Sequence, residues 1–373
     1  MDSKRLMRWA GVGATAVLSG VGSHWLASPR QTERPFPTID DFVLEQFRPA
    51  RGLVNPHMQT MLANFVRPDA GVTFRRQRVE LPDGDFIDLD FADVDGATWA
   101  QLGDEAPIVL VLHGLEGSAK RPYMVMLYRE LAQRGVRAVG MNFRSCSGEM
   151  NRTARLYNGG DTTDLAYIFH WLRRRYPDAE WGLAGFSLGA NVLLKFLGEK
   201  GREVERAAKT AVAVSPPFDM VAGARVLDFG SGRPYRAYLM RQLQEKLVQK
   251  ERVVADKIDF AAARAARTFH EFDDACTAPL GGFRDAHEYY SYSGSGQFLA
   301  DIHVPTLLLR ALDDPFFAND IPQQVIDQNP YLYPGFVAHG GHVAFVEGVG
   351  QFGFWAERQA ARFLAHYLMM DEG

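Results

Sequence analysis

The sequence predicts an α/β fold in which a mostly parallel β-sheet carries helices on both faces. Two observations support this prediction. Short apolar segments alternate with longer segments of helical periodicity between residues 107 and 215, and this alternation is typical of parallel strands joined by crossover helices. Residues 107–112 are apolar throughout, which indicates a strand that is buried on both faces.

The elements follow one another in the order that such a fold requires. Residues 72–81 and 86–94 show strand patterns around the turn Pro82-Asp83-Gly84, since proline and glycine favour tight turns. The other predicted strands are residues 107–112, 138–143, 181–186, 211–215, 305–312 and 332–338. The predicted helices are residues 123–134, 161–176, 188–200 and 354–368.

The alternating pattern breaks between residues 218 and 300, where we expect a helical and loop insertion, or cap, near the active site. We therefore divide the chain into an N-terminal basic and apolar segment with a linker, residues 1–37, and one α/β domain, residues 38–373. Within this domain we expect an N-terminal extension at residues 38–70 and the insertion at residues 218–300.

Composition and charge exclude several classes of protein. The formal net charge of the 373 residues is −4, so the totals imply no basic face for nucleic acid. The chain has two cysteines, Cys146 and Cys276, which exclude a disulfide framework. Because the sequence contains no zinc motif, no P-loop and no strand-first dinucleotide motif, we expect no cofactor and no metal.

The N-terminus carries a pattern associated with membranes. Lys4, Arg5 and Arg8 precede residues 9–27, which contain no acidic or basic residue except His24. This stretch has about the length of one membrane span. We expect a membrane-associated protein, anchored as a single-pass protein through residues 9–27. A cleaved signal peptide with export, and a packed extension of a cytoplasmic protein, are the alternatives.

Ser187 is the candidate nucleophile. It lies in Gly185-Phe186-Ser187-Leu188-Gly189, between the apolar residues 181–184 and the helical residues 190–197. A serine at a strand-to-helix corner is exposed in a strained backbone conformation, and the flanking glycines allow the chain segments to pass closely. The alternative is an ordinary glycine-flanked turn.

The nucleophile needs a base and an acid that orients the base, in the chain order Ser, acid, His. Reactive groups gather at the carboxyl ends of parallel strands. Asp313 and Asp314 follow one late strand, and we favour Asp314 as the acid. His339 and His342 follow the last strand, and we favour His342 because it lies further into its glycine-rich loop. Asp320 is expected to cap the next helix.

Two backbone amides must stabilise the oxyanion that forms on the substrate. Leu188, directly after the nucleophile, supplies one. The loop that follows residues 107–112 has the sequence His113-Gly114-Leu115-Glu116-Gly117, and the Leu115 amide is the best candidate for the second. We expect Glu116 to be a rim residue and not an acid catalyst.

Several separated motifs now stand in a fixed order, and together they resemble the α/β-hydrolase superfamily. The resemblance is closest to its YheT-like branch, which includes the abhydrolase-domain lipid esterases, and it covers the chain from about residue 47. Besides the motifs given above, it depends on Asn55-Pro56-His57-Met58-Gln59-Thr60 and Asn142-Phe143-Arg144-Ser145-Cys146-Ser147-Gly148-Glu149. Ser145 stands where these proteins usually have glycine, and residues 158–161 also depart from their pattern.

The resemblance implies an α/β-hydrolase fold, with Ser187, Asp314 and His342 at the charge-relay positions and carboxylic-ester hydrolysis as the activity. We therefore expect a serine esterase whose substrate is a small-molecule or lipid ester. Amidases, peptidases and thioesterases use the same three residues and are the alternatives within enzymes. A hydrolase fold that binds without catalysis is the alternative from another class.

Overall fold

The computed structural model describes residues 42–68, 71–96, 98–317, 320–348 and 351–370. Eight strands form its central sheet, namely β1 Val72–Glu80, β2 Phe86–Val94, β3 Ile108–Leu112, β4 Arg137–Met141, β5 Trp181–Phe186, β6 Thr210–Val214, β7 Thr306–Ala311 and β8 Leu332–Val337. Their order across the sheet is β1-β2-β4-β3-β5-β6-β7-β8. The pairs β1–β2 and β2–β4 are antiparallel, and the other five pairs are parallel. The predicted fold class is confirmed.

The parallel strands are mainly apolar, and every residue of β3, β5, β6 and β7 is buried. Such strands are stable only between two layers of helices. The register places Leu112 of β3 opposite Gly185 of β5. Because these strands are parallel, the loop after β3 and the corner after β5 meet at the same edge of the sheet.

Helices cover both faces of this sheet. Before the insertion they are α1 Pro56–Val66, α2 Thr98–Leu102, α3 Pro122–Ala132, α4 Thr163–Arg175, α5 Leu188–Lys200 and α6 Arg202–Glu205. The insertion between β6 and β7 contains α7 Met220–Phe229, α8 Arg233–Gln249, α9 Glu251–Val254, α10 Phe260–Ala265, α11 Phe269–Phe272, a π-helix Asp273–Thr277, α12 Ala278–Gly281, α13 Ala286–Ser293 and a 3₁₀-helix Ser295–Asp301. The chain continues with α14 Gln323–Gln328, the short strands β9 Val346–Glu347 and β10 Gly353–Phe354, and α15 Trp355–Leu368.

Two apolar clusters fill the space between the sheet and its helices. Leu110 and Leu112 of β3 pack with α4 and α5 on one face, whereas Val109 and Val111 pack with α3 and α15 on the other. This division follows from the alternation of side chains along a strand. The insertion has a third cluster of its own, centred on α8, α11 and the π-helix.

The membrane location predicted from the N-terminal pattern is contradicted. The longest described helix, α8, has 17 residues and contains Arg233, Arg236 and Arg241, whereas a span needs about 20 mostly apolar residues. Across the described ranges, no helix has both the length and the apolar character to cross a bilayer. Residues 9–27, on which the prediction depended, lie outside the described residues.

Candidate active site

Ser187 forms the corner between β5 and α5. Its backbone angles are φ 52° and ψ −119°, which are strained for a residue that carries a Cβ atom. A Cβ atom on Gly185 would lie 2.5 Å from the carbonyl oxygen of Gly189, and one on Gly189 would lie 2.5 Å from that of His113. Both glycines are therefore required for the corner to close against the loop after β3.

His342 lies between Ser187 and Asp314. Its Nε2 atom is 2.9 Å from the Oγ of Ser187, and its Nδ1 atom is 2.9 Å from Oδ2 of Asp314. An ionised carboxylate only accepts hydrogen bonds, so Nδ1 carries the proton and Nε2 is free to accept the serine proton. The other carboxylate oxygen of Asp314 accepts a bond from the Phe316 amide at 2.9 Å. The three residues predicted from the sequence are thus hydrogen-bonded in series.

The neighbouring acids and histidine have other partners. Asp313 accepts bonds from the His339 ring at 3.1 Å and from the Gly341 amide at 3.0 Å, so it holds the histidine loop. The prediction that Asp320 caps a helix is wrong. Its carboxylate instead forms a buried ion pair with Arg310 and accepts bonds from the Phe218 and Asp219 amides.

Helix α1 holds the loop that carries His342. The Thr60 hydroxyl accepts a bond from the His342 amide at 2.9 Å and donates to the Pro56 carbonyl at 2.7 Å. The Gln59 side chain accepts from the Val346 amide at 2.8 Å and donates to the Val346 carbonyl at 3.1 Å. The sequence identified the motif at residues 55–60 but gave it no role, because these partners are distant in the chain.

Aromatic rings enclose the imidazole of His342. Phe316 stacks on it with ring centres 3.9 Å apart and an interplanar angle of 9°, and Phe317 meets it edge-on at 5.2 Å. Tyr235 of α8 packs against Phe316 at 4.7 Å. These contacts restrict the ring to the orientation in which it reaches Ser187, and the stacking could not be derived from sequence spacing.

In the loop after β3, the Leu115 amide is available to a ligand. The Gly114 amide donates to the Tyr123 hydroxyl at 3.0 Å and the Glu116 amide donates to the Tyr157 hydroxyl at 2.9 Å. The Leu115 amide between them, like the Leu188 amide at the start of α5, donates to no other residue in the part of the chain that the structure describes. Both leucines line one cavity at Ser187, and Leu115 also lines a second.

His113 fixes the base of this loop. Its Nδ1–H donates to the Gly114 carbonyl at 2.7 Å, and its Nε2 accepts from the Phe143 amide at 3.2 Å. Burial lowers the pKa of His113 to about 3, so the ring is neutral at pH 7 and keeps this tautomer.

Glu116 is buried, contrary to the expectation of a rim residue. Its Oε1 atom accepts a bond from the Tyr157 hydroxyl at 2.7 Å and forms an ion pair with Lys246 of α8 at 2.7 Å. The side chains of Lys246 and Glu116 are 9% and 6% exposed. The insertion is therefore tied directly to the loop that carries the Leu115 amide.

Two cavities open on Ser187. The first is mainly apolar and does not touch His342; its lining includes Leu115, Leu188, Met220, Leu227, Leu239 and Phe269. The second borders both Ser187 and His342; its lining includes Thr60, Asn64, Arg67, Arg121, Tyr123 and Tyr238. We call the first the apolar cavity, and we call the second the polar cavity because His342 and two arginines line it.

Comparison with known proteins gives consistent results. Residues 107–349 match the family described by the alpha/beta hydrolase fold. The chain is 36% identical over 329 residues to an Escherichia coli (strain K12) protein named "Putative esterase YheT", with 87% of this chain and 94% of that protein covered. It is 29% identical over 313 residues to mouse (Mus musculus) "Phospholipase ABHD3", with 82% and 75% covered. The solved structure of the Pyrococcus furiosus esterase Pf2001 superposes with a TM-score of 0.52 at 17% identity, over 88% of this chain and 99% of that one.

Proposed function

This chain belongs to the alpha/beta hydrolase family, and we propose that it is a serine esterase that uses Ser187, His342 and Asp314 as its catalytic triad. One observation carries the proposal: the three side chains are joined by two hydrogen bonds of 2.9 Å at the strained corner after β5. This is the arrangement that activates a serine hydroxyl for attack on a carbonyl carbon.

The geometry supports a two-step reaction. Ser187 Oγ adds to the acyl carbon while its proton passes to Nε2 of His342, and Asp314 stabilises the resulting imidazolium. The carbonyl oxygen becomes an oxyanion that accepts bonds from the Leu115 and Leu188 amides. The alcohol leaves with the proton from His342. Water then gives a proton to His342 and adds as hydroxide to the acyl carbon. The bond from the acyl carbon to Ser187 Oγ breaks and His342 returns the proton to Oγ, which releases the acid and restores Ser187.

The substrate is an ester of a carboxylic acid with an apolar acyl group. The apolar cavity borders Ser187 and both oxyanion amides, so it can hold the acyl chain while the carbonyl is at the nucleophile. The similar proteins named as an esterase and a phospholipase support acyl esters as the substrate class. Rates on matched esters, thioesters and amides would rank the ester against the alternative leaving groups.

Replacement of the nucleophile tests the triad. We expect Ser187→Ala to reduce kcat on p-nitrophenyl esters by at least about 10⁴-fold, since removing the nucleophile of a triad costs roughly that much or more. The Ser187→Ala protein should also fail to react with a fluorophosphonate probe. The matched control is Ser291→Ala, which removes an exposed hydroxyl on α13.

Residual turnover or probe labelling of Ser187→Ala near the level of the Ser291→Ala control would refute the assignment of the nucleophile. The circular dichroism of both variants should match that of the unmodified protein, because neither change removes a packed apolar group.

A further inference from the structure

The two cavities at Ser187 have different roles in the proposed reaction. The leaving alcohol takes its proton from Nε2 of His342, so it must lie beside that ring. The polar cavity is lined by His342 and the apolar cavity is not. The alcohol part of the ester therefore lies in the polar cavity, and the composition of that cavity decides which alcohols bind.

The charged residues that line the polar cavity, apart from the histidine, are both arginines, Arg67 and Arg121. Arg67 is buried and neutralised by Glu357, with Nη2 at 2.6 Å from Oε1. Arg121 differs from it: within the described residues, the guanidinium makes no ion pair with a carboxylate, and it donates a bond to the Glu116 carbonyl at 2.6 Å. A guanidinium has five N–H donors, so Arg121 retains donors for a ligand.

The positive charge continues beyond the polar cavity. A shallow groove shares Gly117 and Arg121 with it and is also lined by Arg76 and Lys120. Arg76 is paired with Asp90, whereas the Lys120 ammonium lies 5.2 Å from the ring centre of Phe74. Among the residues that line the cavity and the groove, none is an aspartate or a glutamate. A bound anion there would meet no lining carboxylate.

We propose that the physiological substrate is an ester whose alcohol carries an anionic group, a phosphate monoester or a carboxylate, which Arg121 binds. The inference rests on the proposed esterase function and goes beyond it by naming the charge of the leaving alcohol. The anionic group takes no part in bond breaking. It forms charge-assisted hydrogen bonds with the guanidinium, and these are stronger than neutral ones.

The test compares esters that share one acyl chain. The substrates are 1-octanoylglycerol, 1-octanoylglycerol 3-phosphate and the octanoyl ester of glycolate, and the readout is the ratio of kcat/KM for each anionic ester to that for the neutral ester. We expect a ratio of about tenfold, because a hydrogen bond to a charged group contributes about 1.4 kcal/mol or more. Preference for the phosphate ester alone shows that the site binds phosphate. Preference for both anionic esters shows that the site binds either anion.

Three variants locate the preference. Arg121→Gln should bring the ratio close to one, Arg121→Lys should keep most of it, and Arg174→Gln should leave it at the original value. Arg174 is exposed on the last turn of α4 and lies outside both cavities. Arg174→Gln therefore changes the net charge by the same amount as Arg121→Gln without changing the lining of either cavity. Higher salt should reduce the ratio by screening.

The outcomes separate this proposal from the proposed function. A ratio near or below one in the unmodified protein, with the neutral ester still hydrolysed, overturns the anionic alcohol and leaves the esterase intact. A ratio that Arg121→Gln does not change also overturns it, since Arg121 then acts only on the structure of the loop. If none of the three esters nor a p-nitrophenyl ester is hydrolysed, the esterase proposal itself fails.

Discussion

At the scale of single residues, Thr60 holds the proposed base through the backbone of its loop. The hydroxyl accepts a hydrogen bond from the His342 amide and donates one to the Pro56 carbonyl. We expect Thr60→Val, which keeps the shape and removes the hydroxyl, to lower kcat about tenfold, because the unpaired amide lets His342 move out of line with Ser187. KM for a small ester should change little, and steady-state kinetics separate the two constants.

Thr60→Ser is the matched control, since it restores the hydroxyl and should recover most of the lost kcat. If Thr60 had only a structural role, Thr60→Val and Thr60→Ser would both lower the stability, and their kcat values would not differ. Equal kcat values for the two variants would remove Thr60 from the site.

The three residues of the proposed triad could be selected from the sequence because each is marked by its near neighbours in the chain. Ser187 lies between two glycines that the tight corner itself requires. Asp314 and His342 follow late strands that end at one edge of the sheet. Thr60 carries no such signal. It meets His342 across 282 positions of sequence, and a buried threonine on a helix is common, so no spacing indicates the contact.

At the scale of elements, helix α8 of the insertion contacts the loop that bears the Leu115 amide. Lys246 of α8 and Glu116 of that loop form a buried ion pair. We expect Lys246→Met to lower the free energy of unfolding by about 3 kcal/mol, because Glu116 then remains buried without a cation. kcat should also fall, since the Leu115 amide lies next to Glu116. Urea unfolding and ester kinetics measure the two effects.

The double variant Lys246→Met with Glu116→Gln should recover more than half of the lost stability, because the uncompensated charge is gone. Lys257→Met breaks an exposed pair with Asp256 and should cost less than about 0.5 kcal/mol. If the two lysine variants are equally stable, the buried pair does not couple α8 to the loop.

The regular elements of the sheet could be predicted almost to the residue, whereas the insertion could not. Strands such as Trp181–Phe186 and helices such as Leu188–Lys200 are apolar segments of a length that their own residues reveal. The insertion contains several helices of four to six residues and a π-helix. Such short elements are determined by tertiary contacts, which sequence periodicity does not report.

At the scale of the whole molecule, the parallel sheet brings together groups that are far apart in the chain. The loops after β3, β5, β7 and β8 carry Leu115, Ser187, Asp314 and His342, and the insertion closes over them with an apolar cavity. The family and fold predicted from the ordered motifs are confirmed. The two cavities were not predicted, since their walls combine α1, α3, the insertion and the loop after β7.

One buried acid in the wall of the apolar cavity makes the stability of the fold depend on pH. Asp273 accepts bonds from Thr277 at 2.5 Å and from Tyr290 at 2.6 Å, and burial raises its pKa to about 6. The ordinary pKa of an aspartate, which we take for the unfolded chain, is 3.8. Between these values the folded state binds more protons than the unfolded one, so stability falls as the pH rises through this range and remains lower above it.

Asp273→Asn should therefore stabilise the protein most at high pH. Asparagine can keep partners at Thr277 and Tyr290 and carries no charge, so the difference in unfolding free energy between the variant and the unmodified protein should grow by about 1 kcal/mol from pH 5 to pH 8. His113 acts in the opposite direction below pH 6.5, because burial lowers its pKa, but both proteins contain it and its effect cancels in the difference. Urea unfolding at the two pH values, with the exposed Asp301→Asn as the control for charge, measures this growth. A difference that stays constant or shrinks with pH would show that Asp273 is already ionised at pH 5.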